Sequence, residues 1–129
     1  LGAPLDYRHH QALPPGSHCL EKTRFSSLVP QVAALLASAH RANVLVCGIE
    51  AHVCVMQIVL ALLAGKHEVH VCWDAVSGRG ETYRQHALER MAAAGATLTN
   101  HESVAFEWAR HKDHPAFKSV SAILKAGQP

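Results

Sequence analysis

Short runs of consecutive apolar residues alternate along this chain with longer stretches in which apolar residues return every three or four positions. The first pattern marks buried strands, the second helices with one face turned to a core. Leu28, Val32, Leu35, Leu36 and Ala39 share one face of a predicted helix, with Ser27 as its N-cap and Pro30 in its first turn, where proline is tolerated. Val44-Leu45-Val46-Cys47 then predicts a strand, Gly48 breaks it, and a helix from about His52 to Ala64 begins within a few residues. That helix is apolar nearly all round, so cover is expected on two sides. After Gly65 the chain predicts a strand from Val69 to Trp73, closed by Asp74, and a loop at Gly78-Arg79-Gly80. A helix from about Glu81 to Ala94 follows, burying Ala87, Leu88, Met91 and the stem of Arg84, with Gly95 as its stop. A short strand from Ala96 to Thr99 and two helices, Ser103 to about Arg110 and His114 to about Lys125, complete the series. Ahead of it, Leu1 to Ser17 reads as irregular, and His18 to Glu21 as a short strand.

Strands alternating with helices over short connections predict an α/β fold, a doubly wound parallel sheet covered on both faces. In such sheets ligands bind at the carboxyl ends of the strands. Four strand ends here carry chemically able side chains: Lys22, the turn from Gly48 to Cys54, Asp74, and Thr99-Asn100-His101. Singly, such a lysine is usually solvated, such an aspartate a cap, and the threonine and asparagine ordinary turn formers. Their convergence on one rim is what points to a site.

Composition narrows the classes. With 129 residues, 49% of them apolar, the chain can build the core of one globular domain or a large part of one. A net charge of +2 with scattered basic residues offers no Lys/Arg stripe, so nucleic acid is not the expected partner. The most apolar run, Val53 to Ala64, is interrupted by Gln57 and falls well short of the ~20 residues of a membrane span, so no membrane is expected either. Eleven histidines raise the question of zinc, but they match no zinc-ligand spacing and are expected at the surface. Cys19, Cys47, Cys54 and Cys72 form no C-x-x-C pair, and Cys47 and Cys72 fall in predicted core strands. Reduced thiols in a cytoplasmic protein are expected, not a disulfide framework.

Cys54 stands apart from the other three by its place on the first turn of a helix. Orphan N–H groups and the positive end of the helix dipole there favour the thiolate, the nucleophilic form of the side chain. The plainer alternative is a buried free cysteine behaving as a small hydrophobe.

Gly48-Ile49-Glu50-Ala51-His52-Val53-Cys54-Val55, preceded by Glu21-Lys22-Thr23-Arg24-Phe25-Ser26 and followed by Asp74-Ala75-Val76-Ser77, Glu102-Ser103-Val104 and His114-Pro115, resembles the isochorismatase-like cysteine hydrolase family. The nearest branch is the YcaC-like and isochorismatase-domain-containing one, and the likeness runs from about residue 18 to 125. The resemblance implies a Rossmann-like, three-layer α/β/α fold, and hydrolysis by an Asp, Lys and Cys constellation without a cofactor. Cys54 matches the nucleophile and Lys22 the lysine beside it. A cis peptide at Ile49–Glu50 is implied too; it would aim the N–H groups of Glu50 and Cys54 at one oxyanion. Phe25, His52 and Asp74 are the expected pocket residues. The implied substrate is a small amide-like acyl compound cleaved through a covalent thiol intermediate. True isochorismatases cleave a vinyl ether and do not need the cysteine, so Cys54 points toward acyl chemistry. Nicotinamidases carry a D-x-H…H metal site that Asp6-Tyr7-Arg8-His9-His10 does not reproduce, and no catalytic metal is expected.

The family's acid–base aspartate and first two strands have no counterpart before Lys22; Asp6 lies in a Pro-rich loop with no strand ahead of it. Residues 1–129 are therefore expected to be the C-terminal part of a single isochorismatase-like domain. The alternative is a truncated relative lacking its acid–base partner, with catalysis lost or severely weakened. Without the first strands, the strand at Val44 is expected to lack one neighbour and to expose an apolar edge. Two other readings compete: a non-catalytic binding or assembly module, and a redox-sensing thiol at Cys54 that forms a sulfenate or mixed disulfide under mild oxidant. Homo-oligomers are expected, from the resemblance and from the second cover that the His52–Ala64 helix requires.

Overall fold

The computed structural model describes residues 13–127. Its strands are β1 (Asn43–Gly48), β2 (Glu68–Val76) and β3 (Thr97–Thr99), side by side in that order and parallel throughout. Its helices are α1 (Pro30–Ala39), a π-helical turn (Ala51–Val55) running into α2 (Met56–Ala64), α3 (Glu81–Ala93), α4 (His101–Ala109) and α5 (Phe117–Ala126). Val44 pairs with Val69 and Val46 with Val71, so β-branched side chains stack across the β1–β2 seam. The α/β fold expected from the alternation is the one observed.

Alternation along β2 decides what faces what. Val69 and Val71 join Val46, Val55, Val59, Leu62, Ala87, Leu88 and Met91 in one buried cluster, against which Leu28 and Leu36 also pack. Cys72 points to the other face and is buried there, outside that cluster. The predicted inner face of α3 is therefore correct in Ala87, Leu88 and Met91. Arg84 covers the same helix's approach to the sheet, donating through Nε to the Val76 carbonyl at 2.8 Å and through Nη2 to the Trp73 carbonyl, with its guanidinium over the Trp73 ring. It thereby fixes the end of β2 against α3, next to the loop that leads away from the strand.

Several expectations shift. His18 to Glu21 form no strand and are exposed, because among the described residues no neighbour offers them a ladder. Ser27 is not the cap of α1; Val29 precedes the helix and Pro30 opens it, where the missing N–H costs nothing. β2 continues through Asp74 to Val76, so Asp74 is a strand residue and not the strand's end. Cys47 is exposed, not core: Val46 takes the inward position, and among the described residues nothing covers the outer face of β1, where Leu45 is 38% exposed. α2 buries Val59 and Leu62 fully, while Ile58, Leu60 and Leu63 stay half-covered, so only one side has its full cover within the described residues. Among those residues no helix is long and apolar enough to cross a membrane.

Candidate active site

Gly48 ends β1 with φ +123°, a backbone region in which a Cβ is strained, and so lets the chain leave the sheet sharply. One residue further on, the Ile49–Glu50 peptide bond is cis. The Glu50 carbonyl then accepts from the N–H groups of both Val53 and Val55 at 3.1 Å, which opens the first turn to a π-helical width. Ala51 and Val55 anchor this turn in the core at 0% and 2% exposure. Cys54, between them, stays half-buried on the free side.

Lys22 comes to that free side from the segment before α1. Its ammonium donates to the carbonyls of Arg24 and Phe25 at 3.0 Å each, and its Nζ stands 3.8 Å from the Cys54 Sγ. An ammonium has three N–H bonds. Two are held by the carbonyls of its own loop, which leaves the third directed at sulfur. An open depression of about 340 Å³ adjoins the same loop, lined by Glu21, Lys22, Arg24, Val29 and Pro30 among others. Phe25 contributes its carbonyl to Lys22, and its side chain is exposed.

The other expected pocket residues make different contacts. The Glu50 carboxylate accepts from Arg79 Nε at 2.9 Å, with His52 Nε2 3.7 Å from the same oxygen. The His52 ring stacks on Tyr83 of α3 with centroids 4.9 Å apart, and its Nδ1 is buried with no hydrogen-bond partner among the described residues. Neither His52 nor Asp74 forms a hydrogen bond or ion pair with Lys22 or Cys54. Asp6-Tyr7-Arg8-His9-His10, weighed against a metal site, lies outside the described residues. Among the described residues no cluster of three or more His, Cys, Asp or Glu is arranged to hold a metal ion.

Asp74 instead organises a second polar cluster across β2 and the start of α4. It accepts from the Cys72 thiol at 3.2 Å, the His101 backbone N–H at 3.0 Å and the His101 ring Nδ1 at 2.5 Å, while Asn100 caps α4 by accepting from the Ser103 N–H. Burial alone pushes the Asp74 carboxyl up, but the hydrogen bonds from His101 and Cys72 outweigh it, and the group lies below the ordinary aspartate range. Burial first, then the carboxylate beside it, pushes the Cys72 thiol up to about 11, so at neutral pH it is a thiol and a poor nucleophile. The sign for stability follows: a depressed carboxyl contributes fully above its unfolded value of about 3.9 and loses that contribution as pH falls toward the folded value. Asp74→Asn is therefore expected to flatten the acid limb of urea stability below about pH 4 and, because the cluster is largely open to water, to lower stability at neutral pH by no more than about 1 kcal/mol. A pH series of urea melts reads both.

Sequence reasoning missed Arg79 and Tyr83 as neighbours of the turn from Gly48 to Cys54. The signal available was a charged residue flanked by glycines immediately after a strand, which reads equally well as an ordinary loop. It also missed the Cys72–Asp74–His101 cluster as a unit, although His101 was among the strand-end residues.

The isochorismatase domain family matches residues 5–103 of this chain. A secreted isochorismatase effector of Phytophthora sojae is 43% identical over 113 residues, which is 86% of this chain and 54% of that protein. The structure of the MAR1 ribonuclease from Caenorhabditis elegans superposes with a TM-score of 0.76 at 41% identity, covering 84% of this chain and 55% of the other. The pyrazinamidase of Pyrococcus horikoshii, solved in complex with zinc, superposes with a TM-score of 0.58 at 27% identity, over 62% of this chain and 45% of that one. The chain thus spans about half the length of each of these proteins.

Proposed function

This chain belongs to the isochorismatase domain family, and from that premise we propose that its full-length protein is a cysteine hydrolase that cleaves a small amide-like acyl substrate at Cys54. The observation that carries the reading is the Lys22 ammonium, locked by two carbonyls and directed at the Cys54 sulfur 3.8 Å away on the first turn of a helix. A positive charge so placed stabilises negative charge on sulfur and serves acyl transfer.

The steps balance. The Cys54 sulfur forms a bond to the carbonyl carbon, and the N–H groups of Glu50 and Cys54, at the opening of the helical turn, hold the oxyanion. As the C–N bond breaks, the proton from the thiol leaves on the amine; water then splits the thioester, releasing the acid and restoring the thiol. The carboxylate that moves this proton is assigned to a residue outside the described segment. Pyrazinamidase, an amide hydrolase by its name, supports the choice of bond. The ribonuclease name of the nematode relative stays with that protein, since a paired thiol and ammonium suit a carbonyl carbon better than a phosphodiester.

A cytoplasmic setting, where thiols stay reduced, is part of the proposal. So is self-association, supported by the exposed Trp108 at 73% and Ile123 at 72%. The test is an acid quench of the full-length protein during turnover of p-nitrophenyl acetate, followed by intact mass and peptide mapping. An acetyl group on Cys54 supports the reading. Turnover without acetyl-Cys54, or acetylation of Cys19, Cys47 and Cys54 alike, overturns it.

A further inference from the structure

Arg79, in the loop between β2 and α3, grips the turn that carries Glu50. The Ser77 N–H donates to the Gly48 carbonyl at 3.1 Å, and the Ser77 carbonyl accepts from the Ala51 N–H at 2.8 Å. One residue of the loop therefore holds both ends of the segment from Gly48 to Ala51. Between those ends the Glu50 carboxylate is taken by the Arg79 guanidinium at 2.9 Å, so side chain and backbone of the same segment are fixed by the same loop. Arg84 in turn ties the strand leading into that loop, through the Trp73 and Val76 carbonyls, to α3. The chain of contacts runs from a packed helix to Glu50 and does not pass through Cys54 or Lys22.

We infer that Arg79 is a positioning residue for the oxyanion site, acting through the Glu50 carboxylate on the placement of the Glu50 N–H. The inference rests on the acyl-transfer reading above and adds to it a residue that touches neither substrate nor sulfur. The pair is 73% exposed on the arginine side and 31% on the glutamate side, so its contribution is geometric more than energetic. A displaced donor weakens only a step in which an oxyanion forms. It leaves direct displacement at sulfur alone.

That difference sets the experiment, run on the full-length protein. Two rates at Cys54 are compared: acetylation by p-nitrophenyl acetate, which passes through a tetrahedral oxyanion, and alkylation by iodoacetamide, which does not. Arg79→Ala is expected to slow acetylation about tenfold or more and to leave alkylation within about twofold. Glu50→Gln should lose as much, the double variant no more than either, and Arg79→Lys should recover part of the loss. Equal losses in both rates would mean that the turn itself has come apart, and unchanged acetylation would mean that the ion pair does nothing for the site; either overturns the inference. Failure of the unmodified protein to acetylate at Cys54 would instead overturn the hydrolase reading, with Arg79 playing no part in that result.

Discussion

Cys54→Ser is expected to slow hydrolysis of an amide-like substrate by at least about 10⁴-fold, to the level of Cys54→Ala, while leaving the fold intact. A serine hydroxyl is too weak an acid to ionise beside one ammonium, and Lys22 donates to the sulfur and takes no proton from it. The substitution therefore keeps the shape of the side chain and removes the proposed nucleophile. The fold should tolerate it, because Cys54 is half-buried on the free side of the turn and the anchoring is done by Ala51 and Val55. Initial-rate kinetics and a urea melt on the same preparation separate the two effects. A serine variant retaining more than about a hundredth of the rate would place the nucleophile elsewhere.

The elements that the sequence revealed are those whose pattern is set locally. α3 shows its inner face in Ala87, Leu88 and Met91 because each turn of the helix returns one of them to the core. β1 and β2 show as apolar runs bounded by Gly48 and Gly65. What stayed hidden depends on neighbours. Cys47 and Cys72 look alike in sequence, yet one is exposed and the other buried, since α4 and His101 meet the face of β2 that carries Cys72, while no described element meets the outer face of β1. His18 to Glu21 have strand composition and no strand to pair with. For the site, Lys22 and Cys54 were legible through a resemblance in short motifs, but their meeting is a long-range contact that no local periodicity encodes. His52 and Asp74 were drawn to the same rim by a rule about strand ends; the π-helical turn instead gives His52 the partner Tyr83, and the extension of β2 to Val76 gives Asp74 the partner His101.

Lys22→Met is expected to cut hydrolysis by about 10²-fold and, unlike Arg79→Ala, to slow iodoacetamide alkylation of Cys54 at neutral pH as well. In the proposed reaction the two side chains act on opposite halves. Arg79 reaches the site through Glu50, where charge collects on oxygen, whereas the Lys22 ammonium faces the sulfur, where charge must already stand before any bond forms. Methionine keeps most of the apolar stem and deletes the charge together with the hydrogen bonds to the Arg24 and Phe25 carbonyls, both of which sit in an exposed loop where water replaces the lost donor. Stability should thus change little, and the loss reads on reactivity. Lys22→Arg preserves the charge but presents a planar fork in place of three tetrahedral donors, so it cannot satisfy two loop carbonyls and the sulfur together; partial recovery of alkylation with poorer recovery of hydrolysis is the expected result. If Lys22→Met alkylates as fast as the unmodified protein, the 3.8 Å contact is a neighbourly one without influence on the thiol, and the proposed hydrolase loses the observation on which it chiefly stands.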